Sequence, residues 1–424
     1  CSKKQRIQII INKPQQSVDM SDIPFVYKEM KDFENKIIYY ETSRGCPFSC
    51  SYCLSSIDKC LRFRDLELVK KELQFFIDHK VPQVKFVDRT FNCKHDHAMT
   101  VWRYIKEHDN GITNFHFEVA ADLLNEEEME LIKTMRPGLI QLEIGVQSTN
   151  LDTIREIHRT MKFEQVAEVV RRINSYGNVH QHLDLIAGLP YEGYESFGKS
   201  FDRVYKMNPE QLQLGFLKVL KGSVMHDRAQ EYGIVYQDRA PYEVLSTKWL
   251  TYAEVIRLKQ IEEMVEVYYN SGQFCCTMAA LEQEFASPFC MYECLAAYYD
   301  EKNAFAVSHS RIGRYEILYD FIVKTCKERS EQYMEMLTLD MYLRDNVKKR
   351  PEFLRESGVS SDEAAAFYKK EEKERTYLKA YEGYDRRQMR KMTHLERIDG
   401  KTVLFDYKNR DPLTGNAAIY YLSE

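Results

Sequence analysis

The residues with the clearest chemistry are three cysteines in the peptide SRGCPFSCSYCLSS: Cys46, Cys50 and Cys53, spaced C-x3-C-x2-C. Thiolates at such short spacing are ligands for zinc or for an iron–sulfur cluster. Three thiolates leave one iron of a four-iron cluster without a protein ligand, and that iron can bind a substrate or cofactor. The peptide follows a strand-like run, KIIYYET, and loops after strands lie at the edge of a sheet where α/β proteins bind ligands.

The cysteines alone leave two other interpretations open. Cys60 lies seven residues after Cys53 and could complete a four-ligand structural zinc site. A cluster that only transfers electrons usually has four cysteine ligands rather than three. The spacing favours an open cluster, and the elements around it bear on the choice.

Apolar runs of strand character alternate with segments of helical periodicity from residue 36 onward. The runs cover residues 36–42, 84–88, 116–120, 141–146, 182–188 and 212–220. In the first helical segment Asp65 is a candidate cap and Pro82 blocks continuation, and the apolar positions that share one face are Leu66, Val69, Leu73, Phe76 and Ile77. This alternation predicts an α/β fold with a parallel sheet, and six βα units predict a partial (β/α)₆ barrel, short of the eight units of a closed one.

The pattern changes after about residue 238. We expect helical segments over residues 243–270, 278–300, 312–343 and 360–380, and a β-hairpin in the final TVLFDYKNRDPLTGNAAIYYL. The sequence therefore predicts three regions. An N-terminal segment or linker covers residues 1–35, where IQIII could form a strand; the barrel covers 36–238; and a mainly helical domain with a terminal hairpin covers 239–424.

Composition excludes several classes of protein. A net charge of −5 argues against a broadly basic surface for nucleic acid, and no segment has the roughly 18–20 apolar residues of a membrane span. The short apolar run near the start is too short for a signal peptide. Eleven cysteines without a secretory signal favour metal or redox chemistry over disulfides, so we expect a cytoplasmic protein.

The C-x3-C-aromatic-C pattern after the first strand, with Tyr52 as the aromatic residue, resembles the radical SAM superfamily over about residues 36–240. In that family three cysteines hold a 4Fe-4S cluster whose free iron binds S-adenosylmethionine (SAM), and one electron cleaves the sulfonium to give a 5′-deoxyadenosyl radical. The resemblance implies a radical SAM enzyme with Cys46, Cys50 and Cys53 as cluster ligands. It also implies a one-electron donor such as flavodoxin or ferredoxin as a partner.

Residues on the later strands resemble the SAM contacts of the branch that includes oxygen-independent coproporphyrinogen III dehydrogenase. The matching residues, found around G-V-Q, a later arginine and D-L-I-x-G-L-P, are Glu118, Gln147, Arg159 and Asp184. Tyr40, six residues before Cys46, matches a tyrosine near the cluster. Charged residues in apolar strands are rarely buried without partners, which independently favours a site at Glu118 and Asp184. Arg159, expected in a helical linker, could instead lie on the surface.

Two further candidate cofactor contacts either have an alternative role or lie where the chain departs from the family's pattern. Glu143 in QLEIGVQS is a possible cofactor contact, with an outward orientation or a structural pairing as the alternatives. Many radical SAM proteins have a G-G-E-like stretch after the second strand that binds the SAM amino group, whereas this chain has FVDRTFN over residues 86–92. Asp88 or the Thr90 region is the candidate for that contact, and the cobalamin-associated and methylthiotransferase branches likewise have an aspartate at the end of the second strand.

The phrases SDIPFVY, YYETSRGCPFSCSYCLSS and FDYKNRDPLTGNA resemble a cobalamin-associated branch of the superfamily that carries an uncharacterised C-terminal domain. The resemblance implies a cobalamin-binding domain before residue 1 of the full-length protein, with cobalamin as a cofactor there. Members of the wider class commonly methylate unactivated carbons, and ring rearrangements and cyclisations also occur among them. The substrate is not readable from the sequence.

Two alternatives stay open. The chain could be an iron–sulfur or zinc protein without SAM turnover, or a tRNA-modifying radical enzyme, since residues 366–391 mix aromatic and basic side chains. Interleaved acidic residues favour a solvated helix face there, so nucleic acid is not an expected partner. The remaining C-terminal cysteines could hold an auxiliary cluster, although packing on helices is favoured for Cys275, Cys276, Cys290 and Cys294.

Overall fold

The computed structural model describes residues 17–34 and 36–422. The strand predicted in IQIII, over residues 7–11, lies outside these residues. None of the described helices combines the length and the apolar character that a bilayer crossing requires.

Within residues 17–34 and 36–422, thirteen strands form four sheets. They are β1 (Ile38–Tyr40), β2 (Ser43–Arg44), β3 (Arg62–Phe63), β4 (Gln83–Phe86), β5 (Asn114–Val119), β6 (Ile140–Gln147), β7 (His180–Ala187), β8 (Gln211–Phe216), β9 (Val235–Tyr236), β10 (Val244–Ser246), β11 (Thr393–Ile398), β12 (Lys401–Arg410) and β13 (Ala417–Tyr421).

The α-helices follow the strands in the first half and dominate the second. They are α1 (Leu66–Asp78), α2 (His95–Glu107), α3 (Glu126–Lys133), α4 (Leu151–Glu156), α5 (Phe163–Asn174), α6 (Tyr194–Tyr205), α7 (Val224–Asp227), α8 (Tyr252–Val265), α9 (Cys275–Leu281), α10 (Pro288–Glu301), α11 (Arg311–Thr325), α12 (Ser330–Arg344), α13 (Ser361–Glu374) and α14 (Arg386–Met392).

The main sheet has six parallel strands in the order β1-β4-β5-β6-β7-β8, which confirms the predicted partial (β/α)₆ barrel. Each strand alternates between a buried apolar face and a polar one. In β6 the side chains of Leu142, Ile144 and Val146 are buried in the hydrophobic core, whereas Glu143 and Gln147 are on the opposite face. The polar face lines a cavity, so the interior of the barrel is built to hold a ligand.

Helix α1 forms as its sequence predicts. The Asp65 carboxylate accepts hydrogen bonds from the backbone N–H groups of Glu67 and Leu68, which caps the helix and contributes about 1 kcal/mol. The buried positions of the helix include Val69, Leu73, Phe76 and Ile77. The helix ends before Lys80, whose positive φ stops propagation ahead of Pro82.

The long helices predicted after residue 238 are interrupted. The stretch 243–270 begins as strand β10, and α8 starts only at Tyr252, because Thr251 and Glu254 form a capping box; a π-helical turn, Glu266–Asn270, ends it. The stretches 278–300 and 312–343 each divide into two helices, at Ser287–Pro288 and at the turn from Cys326 to Arg329. The helical periodicity of the sequence continues through these positions and gave no indication that the helices end there.

Helices of the second half pack directly on the barrel. Phe289 of α10 lies against Gly198 of α6, where a Cβ atom would come within 2.8 Å of the ring. The Phe289 backbone N–H donates to the Asp202 carboxylate at 2.8 Å, and the Asn270 side chain bonds both peptide groups of Leu212 on edge strand β8. One hydrophobic core runs from Ile38 to Ala417, so the predicted domain boundary at residues 238–239 stays a prediction.

A three-stranded antiparallel sheet, β11-β12-β13, ends the described chain. The predicted hairpin is its β12–β13 pair. The additional strand β11 was missed, although the sequence has the dipeptide Asp399-Gly400, which is typical of a tight hairpin turn. Both residues have the positive φ that such a turn requires. Together with α13 and α14 the sheet surrounds a small separate core.

Candidate active site

The three cysteines lie on the loop that leaves the first strand of the barrel. Gly45 has a φ of +97°, and a Cβ there would lie 2.6 Å from the Cys60 carbonyl oxygen, so only glycine fits where the loop crosses itself. The Cys46 N–H donates to the Asp58 carbonyl at 3.0 Å, and the Cys53 N–H to the Cys50 carbonyl at 3.1 Å. These bonds hold the thiols of the loop at the carboxyl end of the sheet.

A cavity of about 200 Å³ opens beside the cysteine loop. Most of the predicted site residues line it, although they are spread over more than a hundred positions of the sequence. Those that the fold brings together are Cys46, Cys50, Tyr52, Cys53, Glu118, Glu143, Gln147, Arg159 and Asp184. A loop and three neighbouring strands therefore form one polar cavity with three thiols on its wall.

The three thiols do not converge as the ligands of one zinc ion do. Four ligands around zinc at 2.3 Å place their sulfur atoms about 3.8 Å apart. Among the described residues, the groups whose ligand atoms converge within 4.8 Å do not include the three cysteines, with or without Cys60.

Arg159 brings a cation to the cysteine loop. It follows α4 in a turn in which His158 has a positive φ, so the expected helical linker ends before it. Its Nη1 lies 3.3 Å from the Tyr52 hydroxyl and 3.8 Å from Cys50 Sγ, and its Nη2 donates to the Gly145 carbonyl. Its buried Nε atom has no hydrogen-bond partner. Arg159 is thus a buried cavity residue and not a surface one.

Gln147 is presented by an irregularity in β6. The strand pairing shifts between Gly145 and Gln147, and Gln147 has a φ of +72°. A Cβ on Gly145 would lie 2.4 Å from Gln147 Nε2 and 3.3 Å from Arg159 Nη2. The buried Oε1 of Gln147 has no partner, so the side chain offers an unused acceptor to a polar ligand in the cavity.

The acidic residues come from matched positions on adjacent strands. Glu118 of β5 pairs in register with Glu143 of β6, and Asp184 of β7 with Gly145. Glu118 contacts no hydrogen-bond donor among the described side chains, and burial together with the charge of Glu143 raises its pKa to about 7. Burial also raises the pKa of Asp184, against the effect of its contact with His182.

Glu143 has the structural pairing that its sequence left open. Its Oε2 lies 3.0 Å from Lys85 Nζ and 2.9 Å from His116 Nε2. Burial opposes ionisation, but these two hydrogen bonds lower the pKa of Glu143 to about 2. Glu143 lines the cavity as a paired, permanently ionised carboxylate.

Tyr40 does not line the cavity, which corrects its predicted place at the cofactor. Its hydroxyl donates to Glu72 Oε2 at 2.5 Å, and Glu72 in turn accepts from Arg64 at 2.8 and 2.5 Å. All three side chains are buried. The tyrosine belongs to a buried ion-paired group between the first strand and α1.

Asp88 is also outside the cavity, contrary to the prediction that it contacts the SAM amino group. Its carboxylate is fully buried and accepts from the Thr42 N–H at 3.0 Å, the Thr42 hydroxyl at 2.7 Å and the Ser43 hydroxyl at 2.5 Å. Burial raises its pKa to about 6. Asp88 fastens the start of the cysteine loop to the end of β4.

Sequence reasoning missed several residues of the site. Arg89 follows Asp88, lines the cavity and was not predicted. Thr90, whose region was the alternative to Asp88 for the amino-group contact, also lines the cavity, with its Oγ1 3.8 Å from Cys46 Sγ. His116 and His182 lie beneath it, each two residues before a predicted acid on the same strand. That spacing was a readable signal, because side chains two apart in a strand share a face.

A second cavity, of about 610 Å³, adjoins the first. The two share Tyr52, Cys53, Ser55 and Arg89. The second cavity extends past the end of β8 to α8, and its far wall includes Glu243, Lys259 and Glu262. The helical half of the chain therefore contributes to a space that opens onto the cysteine loop.

The C-terminal cysteines form two pairs with different surroundings. Potential ligand atoms of Cys275, Cys276 and Asp340 lie within 4.8 Å of one another. Asp340 also accepts hydrogen bonds from the N–H groups of Cys276 and Thr277 at 2.9 and 2.8 Å and so caps α9. Within the part of the chain that the structure describes, Cys290 and Cys294 join no convergent group of three metal ligands.

The aromatic side chains that suggested RNA binding over residues 366–391 are partly internal. Tyr368 and Tyr381 are buried in the small C-terminal core, where they cannot stack on bases. That nucleic acid is not a partner stays a prediction.

In comparison with known proteins, the two halves of the chain match two different family models. Residues 40–204 match the sequence model of the Radical SAM superfamily, and residues 230–412 match that of Protein of unknown function (DUF4080). Residues of the chain are 28% identical over 165 positions to 2-(S-pantetheinyl)-carbapenam-3-carboxylate methyltransferase of Streptantibioticus cattleyicolor, covering 37% of this chain and 24% of that protein.

Two further proteins are similar. Cobalamin-dependent radical SAM methyltransferase TokK of Streptomyces tokunonensis is 25% identical over 210 residues, 46% of this chain and 30% of TokK. The structure of the radical SAM methyltransferase TsrM from Kitasatospora setae with cobalamin and [4Fe-4S] cluster bound aligns with a TM-score of 0.43 at 16% identity, covering 51% of this chain and 44% of TsrM.

The chain spans less than a third of the length of the two curated methyltransferases. Within it, the cysteine loop and the barrel strands that form the cavity fall almost wholly inside the first matched region, and α8 falls inside the second. Residues 40–204 are therefore a radical SAM domain, and a DUF4080 region follows it over residues 230–412.

Proposed function

We propose that this chain is the catalytic part of a radical SAM enzyme that cleaves SAM at a 4Fe-4S cluster held by Cys46, Cys50 and Cys53. When bound, the cluster would supply the electron that breaks the sulfonium and gives the 5′-deoxyadenosyl radical. The observation that supports this most directly is that the three thiols share one cavity with Gln147, Arg159 and further polar side chains from the strand ends.

The chain's own residues would hold SAM by its polar ends. The Arg159 guanidinium, beside Cys50 and Tyr52, is placed to bind a carboxylate next to the thiols. Glu118 and Asp184 are acceptors for ribose hydroxyls or an amino group, and the unpartnered amide oxygen of Gln147 is a third. Tyr52, buried between the cysteines and Arg159, shields the site from water.

The test is anaerobic reconstitution with iron and sulfide followed by reduction in the presence of SAM. We expect about four irons per chain and formation of 5′-deoxyadenosine. The triple variant with Cys46, Cys50 and Cys53 replaced by alanine should lose both. Cys60→Ala is the matched control, because Cys60 is exposed on the same loop outside the cavity, and it should keep both. Zinc in place of iron, or iron without SAM cleavage, would contradict the proposal.

We further propose a methyltransferase-like reaction, assisted by cobalamin in the full-length protein. Similarity to the two named methyltransferases supports this class. The larger cavity between β8 and α8 is the proposed substrate site, since it adjoins Cys53 and Tyr52. Full-length protein supplied with hydroxocobalamin, a low-potential reductant and SAM should transfer the SAM methyl group to cob(I)alamin, giving methylcobalamin and S-adenosylhomocysteine in addition to 5′-deoxyadenosine. Formation of 5′-deoxyadenosine alone under those conditions would favour a radical reaction without methyl transfer.

A further inference from the structure

A layer of charged and polar side chains crosses the interior of the barrel beneath the proposed SAM cavity. It consists of Lys85 on β4, His116 on β5, Glu143 on β6, and His182 and Asp184 on β7; we call it the interior charge layer. We infer that the interior charge layer sets the protonation state of Glu118 and thereby makes SAM binding to this chain depend on pH. This inference rests on the proposed function, because it takes SAM as the ligand of the cavity.

The layer is connected by direct contacts. Lys85 Nζ and His116 Nε2 lie 3.0 and 2.9 Å from the same oxygen of Glu143, and His182 Nε2 lies 2.9 Å from Asp184 Oδ1. Glu143 pairs in register with Glu118 on one side and His182 on the other. The side chains of the layer therefore form a fixed row whose charges act on the cavity above.

Among the acidic residues that line the cavity, Glu118 is the one without a partner in the described part of the chain. It lies directly opposite Glu143 in the sheet and faces the cavity, and it forms no hydrogen bond or ion pair with the described residues. Two carboxylates at opposed positions of neighbouring strands repel one another. Because Lys85 and His116 keep Glu143 ionised, the repulsion falls on Glu118, which burial already disfavours as an anion.

The charged groups around Glu118 act in both directions. Glu143 and Asp184, on β6 and β7, raise its pKa; Arg89, after β4, and Lys85, on β4, lower it. Arg159 and the cysteine loop form the far side of the same cavity. Burial has the largest effect and, together with these charges, raises the pKa of Glu118 to about 7, within the physiological range.

The charge of Glu118 would affect how strongly SAM binds. SAM carries a sulfonium and an ammonium, and an ionised carboxylate attracts both, whereas a protonated one attracts neither. If binding requires the ionised form, the apparent affinity follows the ionised fraction, which rises about tenfold from pH 6 to pH 8 for a group with a pKa near 7. Glu118 would position SAM by its negative charge, and the interior charge layer would set how readily Glu118 ionises.

The experiment measures SAM affinity by calorimetry on the oxidised, cluster-loaded chain between pH 6 and 8.5. We expect an affinity that rises about tenfold with pH in the wild type and is flat in Glu118→Gln. Glu143→Gln removes the repelling charge and should move the midpoint to lower pH. Lys85→Gln removes an attracting charge and should move it to higher pH. Glu107→Gln, at an exposed carboxylate on the outer helix α2, is the control and should change nothing.

Opposite shifts are the result that a merely structural role would not produce. Shifts of Glu143→Gln and Lys85→Gln in the same direction, or a wild-type affinity that does not change with pH, would overturn the inference. Infrared difference spectra of wild type against Glu118→Gln follow the carboxyl titration without SAM. If Glu118 titrates near pH 7 but the chain binds no SAM, the proposed function is rejected and the effect of the interior charge layer on Glu118 stands. If Glu118 titrates near pH 4 in a chain that cleaves SAM, the proposed function stands and the inference about the layer is rejected.

Discussion

Replacing Gly145 by alanine should impair the site while leaving the fold intact. The added Cβ would lie 2.4 Å from Gln147 Nε2, about 1 Å inside ordinary contact, and 3.3 Å from Arg159 Nη2. The φ of Gly145 is not positive, and the nearest atom is the end of a flexible side chain, so the backbone can accept alanine. Gln147 must therefore move by about 1 Å, a displacement that can reduce a rate about 100-fold when it disturbs ligand geometry.

The assay is 5′-deoxyadenosine formation from SAM with an excess of reductant, alongside iron content and urea unfolding. Gly145→Ala should keep its iron and its unfolding free energy within about 1 kcal/mol of wild type, and lose about 100-fold in rate. Gly313→Ala is the matched control, because its new Cβ on α11 would meet nothing closer than 3.5 Å. A wild-type rate in Gly145→Ala would refute the reasoning that Gln147 and Arg159 are held in a working geometry by the space at Gly145.

Three further predictions concern stability and are checked by urea unfolding followed by circular dichroism. Glu72→Ala leaves Arg64 as an unpaired buried cation, since the two form a bridge at 2.5 Å, and should cost about 3–5 kcal/mol; a loss below 1 kcal/mol would show that the pair is solvated. Gly198→Ala brings a methyl group to 2.8 Å from the Phe289 ring and should cost about 1–3 kcal/mol, with partial recovery on adding Phe289→Leu. Because the folded pKa of Asp88 is raised to about 6, the folded chain binds its proton more tightly than the unfolded one. Its contribution is therefore present below pH 4 and lost as the pH rises to 6, about 3 kcal/mol relative to Asp88→Asn; a pH-independent difference between the two proteins would contradict the burial of that carboxyl.

The order of elements in the barrel and the position of the cysteine loop after its first strand followed from the sequence because both depend on local signals. Three cysteines within eight residues, and apolar runs at regular intervals, carry their information within a single turn or strand. The breaks within the C-terminal helices were less accessible, because a capping box such as Thr251 and Glu254 competes with a periodicity that continues through it. Strand β11 was missed because charged residues interrupt its alternation.

Residue types alone did not separate ligands from structural partners. Tyr40 and Asp88 matched the expected pattern, and both are buried away from the cavity in hydrogen-bonded groups of their own. Glu143, for which two roles were open, has a salt bridge to Lys85 from a strand nearly sixty positions earlier. A carboxylate in a strand has the same local sequence whether it meets a lysine or a ligand.

The sequence by itself determined that this chain has a βα barrel with a three-thiol loop after its first strand, since cysteine spacing and strand periodicity are encoded locally. Only the tertiary structure decided which polar residues lie beside the thiols. It places Arg159, in the turn after α4, next to Cys50, and it makes α8 part of the wall of a second cavity beside the cysteine loop. The physical reason is that sheet register and packing bring together groups far apart in the chain. Charge interactions among those groups, such as Glu118 with Glu143, exist only at the distances that register creates.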